Sequence, residues 1–258
     1  DKKFDIRALD RSTLPLEEMI KVGDTIFKGG MGRRILKYSI QNKTYTEIKN
    51  TGDIVVKEFA TDGKKVYATS SKGIFEYENG KFNVYEFENE NTENFLSMNY
   101  DTNYGFLVTT KFGKIYQFDN HTKQLKLFYE DDLKTSIVGL VVDNHKRLWL
   151  NTYAGIVSYV PSEKKIVRYT KKDGIHELEG NRYSTFKDNN GNIFIGSYKG
   201  LNYFNPEDLE ENVLNMQPVF SSISSFNPKE KKWVTNSTPS SLSKVEEVVL
   251  PATNQRFS

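Results

Sequence analysis

The chain has 258 residues, with 36 Lys and Arg against 34 Asp and Glu, which gives a formal net charge of +2. This balance excludes a strongly basic nucleic-acid-binding surface and argues against a membrane-surface role. Cysteine is absent, which excludes disulfides, thiol catalysis and cysteine-ligated metals. The chain has no run of 18 apolar residues, and its first residues, DKKFDIRALD, are not a signal peptide. We therefore expect a soluble chain.

Short apolar runs separated by polar turns predict β-strands along most of the sequence. Aromatic residues make up 13% of the chain, which favours strands over helices. The clearest stretch is Thr135–Thr170, where four apolar runs and three tight turns predict a four-stranded antiparallel meander. A sheet of this kind cannot bury its own faces, so it needs neighbours of the same kind.

One element of this meander recurs along the chain: an apolar run, a Ser or Thr, two further residues, a Gly, and a second apolar run. The copies are VYATSSKGIF (66–75), FLVTTKFGKIY (106–116), LWLNTYAGIV (148–157), IFIGSYKGLNY (193–203) and a weaker TIFKGGMGRRILKY (25–38). Their glycines are Gly32, Gly73, Gly113, Gly155 and Gly200, separated by 41, 40, 42 and 45 residues. A repeat of about 40–45 residues with four strands per unit is typical of a β-propeller.

The repeat therefore predicts an all-β fold, a β-propeller built from four-stranded antiparallel blades. We expect five blades, at about residues 16–48, 53–88, 94–130, 135–170 and 180–206 of a propeller region at 1–209, and an incomplete ring. Residues 1–10 are a possible strand of a preceding blade. Residues 210–258 lack the glycine pattern and are interpreted as a connector followed by the beginning of a second β domain.

Two stretches resemble a known repeat. DNHKRLWLNTYAGIVSY (143–159) and DNNGNIFIGSYKGLNYFNP (188–206) are similar to the two-component-regulator propeller repeat, and YTKKDGI (169–175) resembles the phrase that links its blades. The tail PVFSSISSFN with VVLPATNQRFS resembles the start of the Ig-like sandwich, named for its tyrosines, that follows such propellers.

This resemblance implies the periplasmic sensor region of a hybrid two-component histidine kinase of the Bacteroidetes type. The chain would then be part of an inner-membrane protein, attached to the membrane only through segments outside these residues. The implied ligand is an oligosaccharide or another glycan breakdown product. A ligand would act by favouring one arrangement of a homodimer over another. The resemblance implies no nucleic-acid partner and no cofactor, and the fragment itself would not be an enzyme.

In such a propeller, the turns between second and third strands lie on the same face as the connections between blades. Loops on a rigid scaffold are common positions for binding residues. Aromatic faces with Arg, Asn and carboxylate groups suit a sugar or uronic acid. The predicted ligand-binding residues on this face are Tyr153, His176, Asn181, Arg182, Tyr183, Tyr198 and Lys199. Trp149 occupies the repeated mid-strand slot, so we interpret it as packing between blades.

Two alternatives to a sensor remain open. The first is a propeller lyase or hydrolase that acts through His176, beside Glu177 in a loop of the same face. The second is a scaffold propeller that binds other proteins, although the repeat dipeptides of common scaffold propellers are absent. The three histidines share no metal-ligand spacing and no nucleophile elbow is present, so we predict neither catalytic residues nor a metal site.

Overall fold

The apolar runs found in the sequence form the strands of the computed structural model. It describes residues 18–30, 35–48, 55–70, 72–87, 95–209, 223–227 and 230–236. The chain divides into two compact units, residues 1–209 and 210–258. Within the described ranges, no helix is long and apolar enough to span a bilayer.

The first two blades are antiparallel sheets whose strands follow chain order. Blade one contains β1 (Glu18–Val22), β2 (Thr25–Gly29), β3 (Leu36–Ser39) and β4 (Thr44–Glu47). Blade two contains β5 (Val56–Thr61), β6 (Val66–Ser70), β7 (Gly73–Glu78) and β8 (Lys81–Tyr85).

The next two blades repeat this order. Blade three contains β9 (Phe95–Asp101), β10 (Gly105–Thr110), β11 (Lys114–Asp119) and β12 (Gln124–Glu130). Blade four contains β13 (Ile137–Val142), β14 (Leu148–Thr152), β15 (Gly155–Val160) and β16 (Lys165–Tyr169).

Blade five has three strands in the described part of the chain, and a fourth is not found there. They are β17 (Gly180–Lys187), β18 (Ile193–Ser197) and β19 (Gly200–Phe204). The second unit contributes one hairpin, β20 (Ile223–Asn227) with β21 (Lys232–Asn236). The proposed strand at residues 1–10, the turn at Gly32, the connector after 210 and the tail after 236 lie outside the described residues.

The predicted all-β propeller is confirmed. The first strands of successive blades lie side by side in the order β1, β5, β9, β13 and β17. The blades therefore radiate from a row of inner strands, and the later strands of each blade lie progressively outward. Neighbouring strands of a blade are antiparallel. The first residue of each inner strand therefore lies on the same face of the propeller as the turns between second and third strands and the connections between blades.

Apolar side chains from facing sheets fill the gaps between blades. The repeated mid-strand slot is occupied by Tyr67, Leu107 and Trp149, which are 0%, 0% and 1% exposed. Trp149 packs on Phe204 of blade five, and its indole Nε1 donates to Asp143 Oδ2 at 2.9 Å. This confirms that Trp149 belongs to the core between blades four and five.

In blade five, the face that contains the repeated mid-strand slot is exposed to solvent. Phe194 fills the slot there and contacts Phe186 and Tyr203, each of which is 61% exposed. Leu201 on this face is 60% exposed. None of the described residues covers this aromatic face in the way that blade five covers Trp149.

The inner strands of blades two to five contain bulges near their first residues. In β5, β9 and β13 one extra residue opposes the partner strand. In blade five, Gly180 pairs with Ser197 and Thr185 with Ile195, so five residues along β17 correspond to two along β18. The bulge of blade five therefore holds three extra residues, and residues 181–184 have no register partner on β18.

Two of the repeated glycines are required by a close approach as well as by backbone conformation. Gly73 and Gly155 have φ of 134° and 100°. A Cβ atom at these positions would lie 2.1 Å from the carbonyl oxygen of Tyr85 and 2.3 Å from that of Tyr169. The second-to-third-strand turn thus packs directly against the end of the blade's outermost strand. At Gly200 the φ lies outside the left-handed region, and the nearest atom is Cδ2 of His176 at 3.3 Å.

Replacing Gly155 with Ala should lower the free energy of unfolding by about 3 kcal/mol or more, because the methyl group would meet a fixed backbone oxygen. Gly174→Ala is the matched control, since Gly174 has φ of 90° but nothing within 4 Å of its Cβ position. Gly174→Ala should lower the free energy of unfolding by about 1 kcal/mol, because it adds backbone strain alone. Urea unfolding followed by tryptophan fluorescence measures both, and equal losses would contradict this account of the repeat.

Candidate ligand-binding site

A cleft of about 570 Å³ opens among blades two, four and five. Blades two and five are not neighbours. They can approach each other only on the inner side of the curved row of blades, which we call the arc. The cleft is lined by Val55, Val56, Lys57, Tyr153, Glu179, Gly180, Asn181, Arg182, Tyr183 and Tyr198. We call this the channel-mouth cleft.

Each lining segment lies at the same end of its blade. Val55–Lys57 is at the start of the inner strand β5, and 179–183 is at the start of β17. Tyr153 lies in the turn between β14 and β15, and Tyr198 lies in the turn between β18 and β19. The fold therefore converges these residues at the mouth of the channel, where the sequence predicted binding residues.

The enlarged bulge of β17 forms one wall of the channel-mouth cleft. Asn151 of blade four supports it by donating from Nδ2 to the carbonyl oxygens of Asn181 at 3.0 Å and Gly196 at 3.1 Å. Ser184 Oγ also donates to the Asn181 carbonyl oxygen, at 2.6 Å. A Cβ at Gly180 would lie 2.0 Å from Asn151 Oδ1, so only glycine permits this support.

Within the bulge, Tyr183 has φ of 58°, a left-handed conformation that is uncommon for a bulky side chain. Such strain costs about 1–3 kcal/mol and is concentrated at functional sites. The bulge turns Asn181, Arg182 and Tyr183 towards the cleft that they line. The strain is thus associated with the display of three polar side chains.

Arg182 lies between two tyrosines of the cleft. Burial alone would lower the pKa of Arg182, but the neighbouring hydroxyls of Tyr153 and Tyr183 raise it. The group therefore stays charged. A cation with two aromatic neighbours suits a ligand that combines an apolar face with hydrogen-bond acceptors.

Lys57 and Glu58 place two further charges at the start of β5. Lys57 Nζ donates to the Phe95 carbonyl oxygen at 2.6 Å, and Glu58 Oε2 accepts from the Met98 backbone N–H at 3.1 Å. Burial raises the pKa of Glu58 to about 7, against the opposing hydrogen bonds from Ser97 and Met98. Glu58 is therefore a carboxyl group that lies against β9 and changes charge near neutral pH.

Five of the seven predicted ligand-binding residues meet in the channel-mouth cleft, namely Tyr153, Asn181, Arg182, Tyr183 and Tyr198. Lys199 does not line it, and its Nζ lies 3.8 Å from Glu177 Oε2. His176 lines a different cavity. Whether any of the seven binds a ligand stays a prediction.

Sequence reasoning missed the lining residues Val55, Val56, Lys57, Glu179 and Gly180. The first three lie at the start of an inner strand, in a blade distant in sequence. Each inner strand begins at the binding face, so the repeat alone could have singled out the first residues of every blade. The repeat does not indicate which of those blades lies opposite blade five, because this depends on how strongly the row of blades curves.

The cavity that contains His176 measures about 310 Å³ and lies between the outer parts of blades four and five. Trp149, Tyr169 and Phe204 line its apolar side. Glu177 does not line it; its Oε1 lies 3.2 Å from Lys171 Nζ. A hydrogen bond from the Leu178 backbone and the Lys171 ammonium lower the pKa of Glu177, which makes it a weak base.

No protein-family model matches the chain. A stretch of 113 residues, 43% of this chain, is 28% identical to Histidine kinase P4 of Formosa agariphila and covers 8% of that protein. The extracellular domain of a hybrid two component system from B. thetaiotaomicron has 20% identity and a TM-score of 0.62, over 76% of this chain and 28% of that one. A streptogramin B lyase has 16% identity and a TM-score of 0.60, over 74% of this chain and 65% of that one.

At these identities the solved structures show a shared β-propeller fold. The chain spans about a quarter of the length of that extracellular domain and less than a tenth of the histidine kinase. The first of these structures is named as part of a two component system and the relative as a histidine kinase, whereas the lyase is an enzyme on the same fold.

Replacing Glu58 with Gln should stabilise the protein at pH 8 and change little at pH 5. The folded-state pKa of about 7 exceeds the ordinary 4.5, so the folded protein binds the proton more tightly and loses stability as the pH rises through this window. Gln removes that loss because it stays neutral. Thermal unfolding at both pH values measures the difference.

Glu78→Gln is the control, because Glu78 has a 49% exposed side chain and lies 3.9 Å from Lys65 Nζ. It should shift the unfolding temperature little at either pH. An equal effect of Glu58→Gln at pH 5 and pH 8 would contradict a proton bound near neutrality.

Proposed function

We propose that this chain is the ligand-sensing part of a hybrid two-component sensor kinase, and that the channel-mouth cleft binds a carbohydrate-derived ligand. The observation that carries the proposal is the convergence of Tyr153, Asn181, Arg182 and Tyr198 in one cleft at the loop face of the propeller. The likeness to a sensor domain and to a histidine kinase supports the same function.

The chemistry of the cleft suits a sugar. Tyrosine rings offer apolar faces on which the C–H groups of a pyranose stack, and Tyr153 and Tyr198 are 38% and 77% exposed. Asn181 and Arg182 supply directional donors, and Glu179 supplies acceptors for sugar hydroxyls. A cleft of about 570 Å³ is within the range of small-molecule sites and accommodates a short oligosaccharide.

In the proposed mechanism, the ligand binds one arrangement of a homodimer more tightly than another. The ligand can shift this equilibrium only by the difference between its two affinities. An Ig-like sandwich that begins in the second unit would pass the change towards a membrane helix and a kinase beyond residue 258. The sensor region itself would lie in the periplasm, as part of an inner-membrane protein.

A Tyr153→Ala variant should bind its oligosaccharide about five- to tenfold more weakly, because one stacking face of the cleft is lost. Isothermal titration calorimetry of the whole 258-residue chain against a panel of plant and algal oligosaccharides measures the affinity. Phe112→Ala is the matched control, since Phe112 is 57% exposed before the equivalent turn glycine of blade three and lies outside the cleft. Equal losses in both variants would contradict the assignment of the site.

The rest of the receptor provides an independent test. The gene downstream of the codon for Ser258 should encode a transmembrane helix followed by the motifs of a histidine kinase. A stop codon at this point would contradict the sensor proposal.

A propeller lyase is the second candidate, because His176 lines an aromatic cavity and a streptogramin B lyase has the same fold. Incubation of the chain with lactone and glycan libraries, followed by mass spectrometry of the products, tests it. Turnover that disappears in His176→Ala would favour the lyase over the sensor. Absence of turnover in the wild-type chain would contradict the lyase.

A further inference from the structure

The arginines of the described chain differ in how their charge is balanced. Arg147 Nε lies 2.6 Å from Asp143 Oδ2, and Arg168 is paired with Asp131. Both of these aspartates are buried, at 5% and 2% exposure, so the two pairs are part of the packed blades. Arg182 is the third arginine in this part of the chain, and no described carboxylate pairs with it.

The two tyrosines beside Arg182 do not neutralise its charge. Tyr153 and Tyr183 line the cleft together with Arg182, and although burial would lower the pKa of Arg182, their hydroxyls raise it. A guanidinium has five N–H donors in a planar fork, so donors remain for a ligand. Arg182 is exposed in the cleft that it lines. The arrangement orients a positive charge and leaves its counter-ion to be supplied from solution.

The other charged groups of the cleft add to this preference. Lys57 lines the opposite wall, on blade two, and Glu179 is the single carboxylate among the lining residues. Lys57 donates to the Phe95 carbonyl oxygen, and among the described residues no ion pair joins Glu179 to Arg182. Because Glu179 and Asn181 still supply hydrogen-bonding groups beside three tyrosines, the site combines anion recognition with recognition of a hydroxylated ring.

We propose that the channel-mouth cleft selects an acidic saccharide, and that Arg182 binds its anionic group through a bidentate pair. This inference rests on the proposed carbohydrate-sensing function and narrows its ligand class. The anionic group is a planar or tetrahedral oxyanion, which a saccharide carries as the carboxylate of a uronic acid or as a sulfate ester. Both match the fork of a guanidinium better than the point charge of an ammonium.

The backbone of blade five supports this role. Blades two, three and four accommodate one extra residue in the corresponding strand, whereas β17 accommodates three. Arg182 lies within that enlarged bulge, directly before the strained Tyr183. Asn151 holds the bulge from the neighbouring blade, so Arg182 is displayed from a fixed support.

The test compares acidic oligosaccharides with neutral counterparts of the same shape. The probes are oligogalacturonates and their carboxyl-reduced forms, glucuronate-bearing xylo-oligosaccharides and their reduced forms, and sulfated galactan oligosaccharides with their desulfated forms. Calorimetry on the whole chain should show that at least one acidic probe binds about ten- to hundredfold more tightly than its neutral counterpart. The pair that shows this difference identifies carboxylate or sulfate as the recognised group.

Arg182→Gln should remove this preference, because the affinity for the acidic probe should fall about ten- to hundredfold and the affinity for the neutral probe much less. Arg182→Lys should recover only part of it, because an ammonium keeps the charge but loses the fork. Lys199→Gln is the control, since Lys199 is an exposed cation in the turn beside Tyr198 but does not line the cleft. It should retain the full preference. Thermal unfolding checks that each variant is folded.

Equal binding of acidic and neutral probes by the wild-type chain would overturn this inference and leave the sensor function standing. An acid preference that persists in Arg182→Gln would overturn the role of Arg182. Binding of none of the saccharides would overturn both the inference and the proposed function.

Discussion

The structure depends on the need to cover sheets that are apolar on both faces. A blade such as β13–β16 buries Leu150 towards blade three and Trp149 towards blade five, and neither face could be exposed to water without a large cost. Blades must therefore stack side by side. The tight turn at Gly155, which touches the backbone of Tyr169, keeps each blade compact enough for this stacking.

The same packing creates the candidate site. Once the inner strands lie in a row, the beginnings of these strands and the turns between second and third strands meet at one end. The cleft arises where blade five departs from the repeat, with an enlarged bulge in β17. Asn151 of blade four and Gly180 of blade five hold this bulge, so residues of the scaffold position side chains that contact solvent.

Charged side chains in the core and Arg182 in the cleft differ in whether another charged group of the protein balances them. Glu76 is buried between blades two and three; burial would raise its pKa, but Lys123, Lys65 and the Tyr85 hydroxyl lower it to about 2. Its charge is thus balanced within the protein, and Asp143 and Asp131 are likewise paired with Arg147 and Arg168. In the cleft, Arg182 lies among the tyrosines Tyr153 and Tyr183 and forms no ion pair with a described carboxylate. This contrast separates side chains that stabilise blades from one that is available to a ligand.

The sequence by itself determined the all-β class, the propeller and the core role of Trp149, because strands, tight turns and a repeat of about 40 residues are local and periodic features. It also singled out five residues of the cleft, since the second-to-third-strand turns and the connections between blades lie on one face. Only the tertiary structure decided that Lys57 and Glu179 join them and that His176 and Lys199 do not. That outcome depends on the curvature of the arc and on a bulge of three residues, which arise from packing between blades and have no local sequence signature.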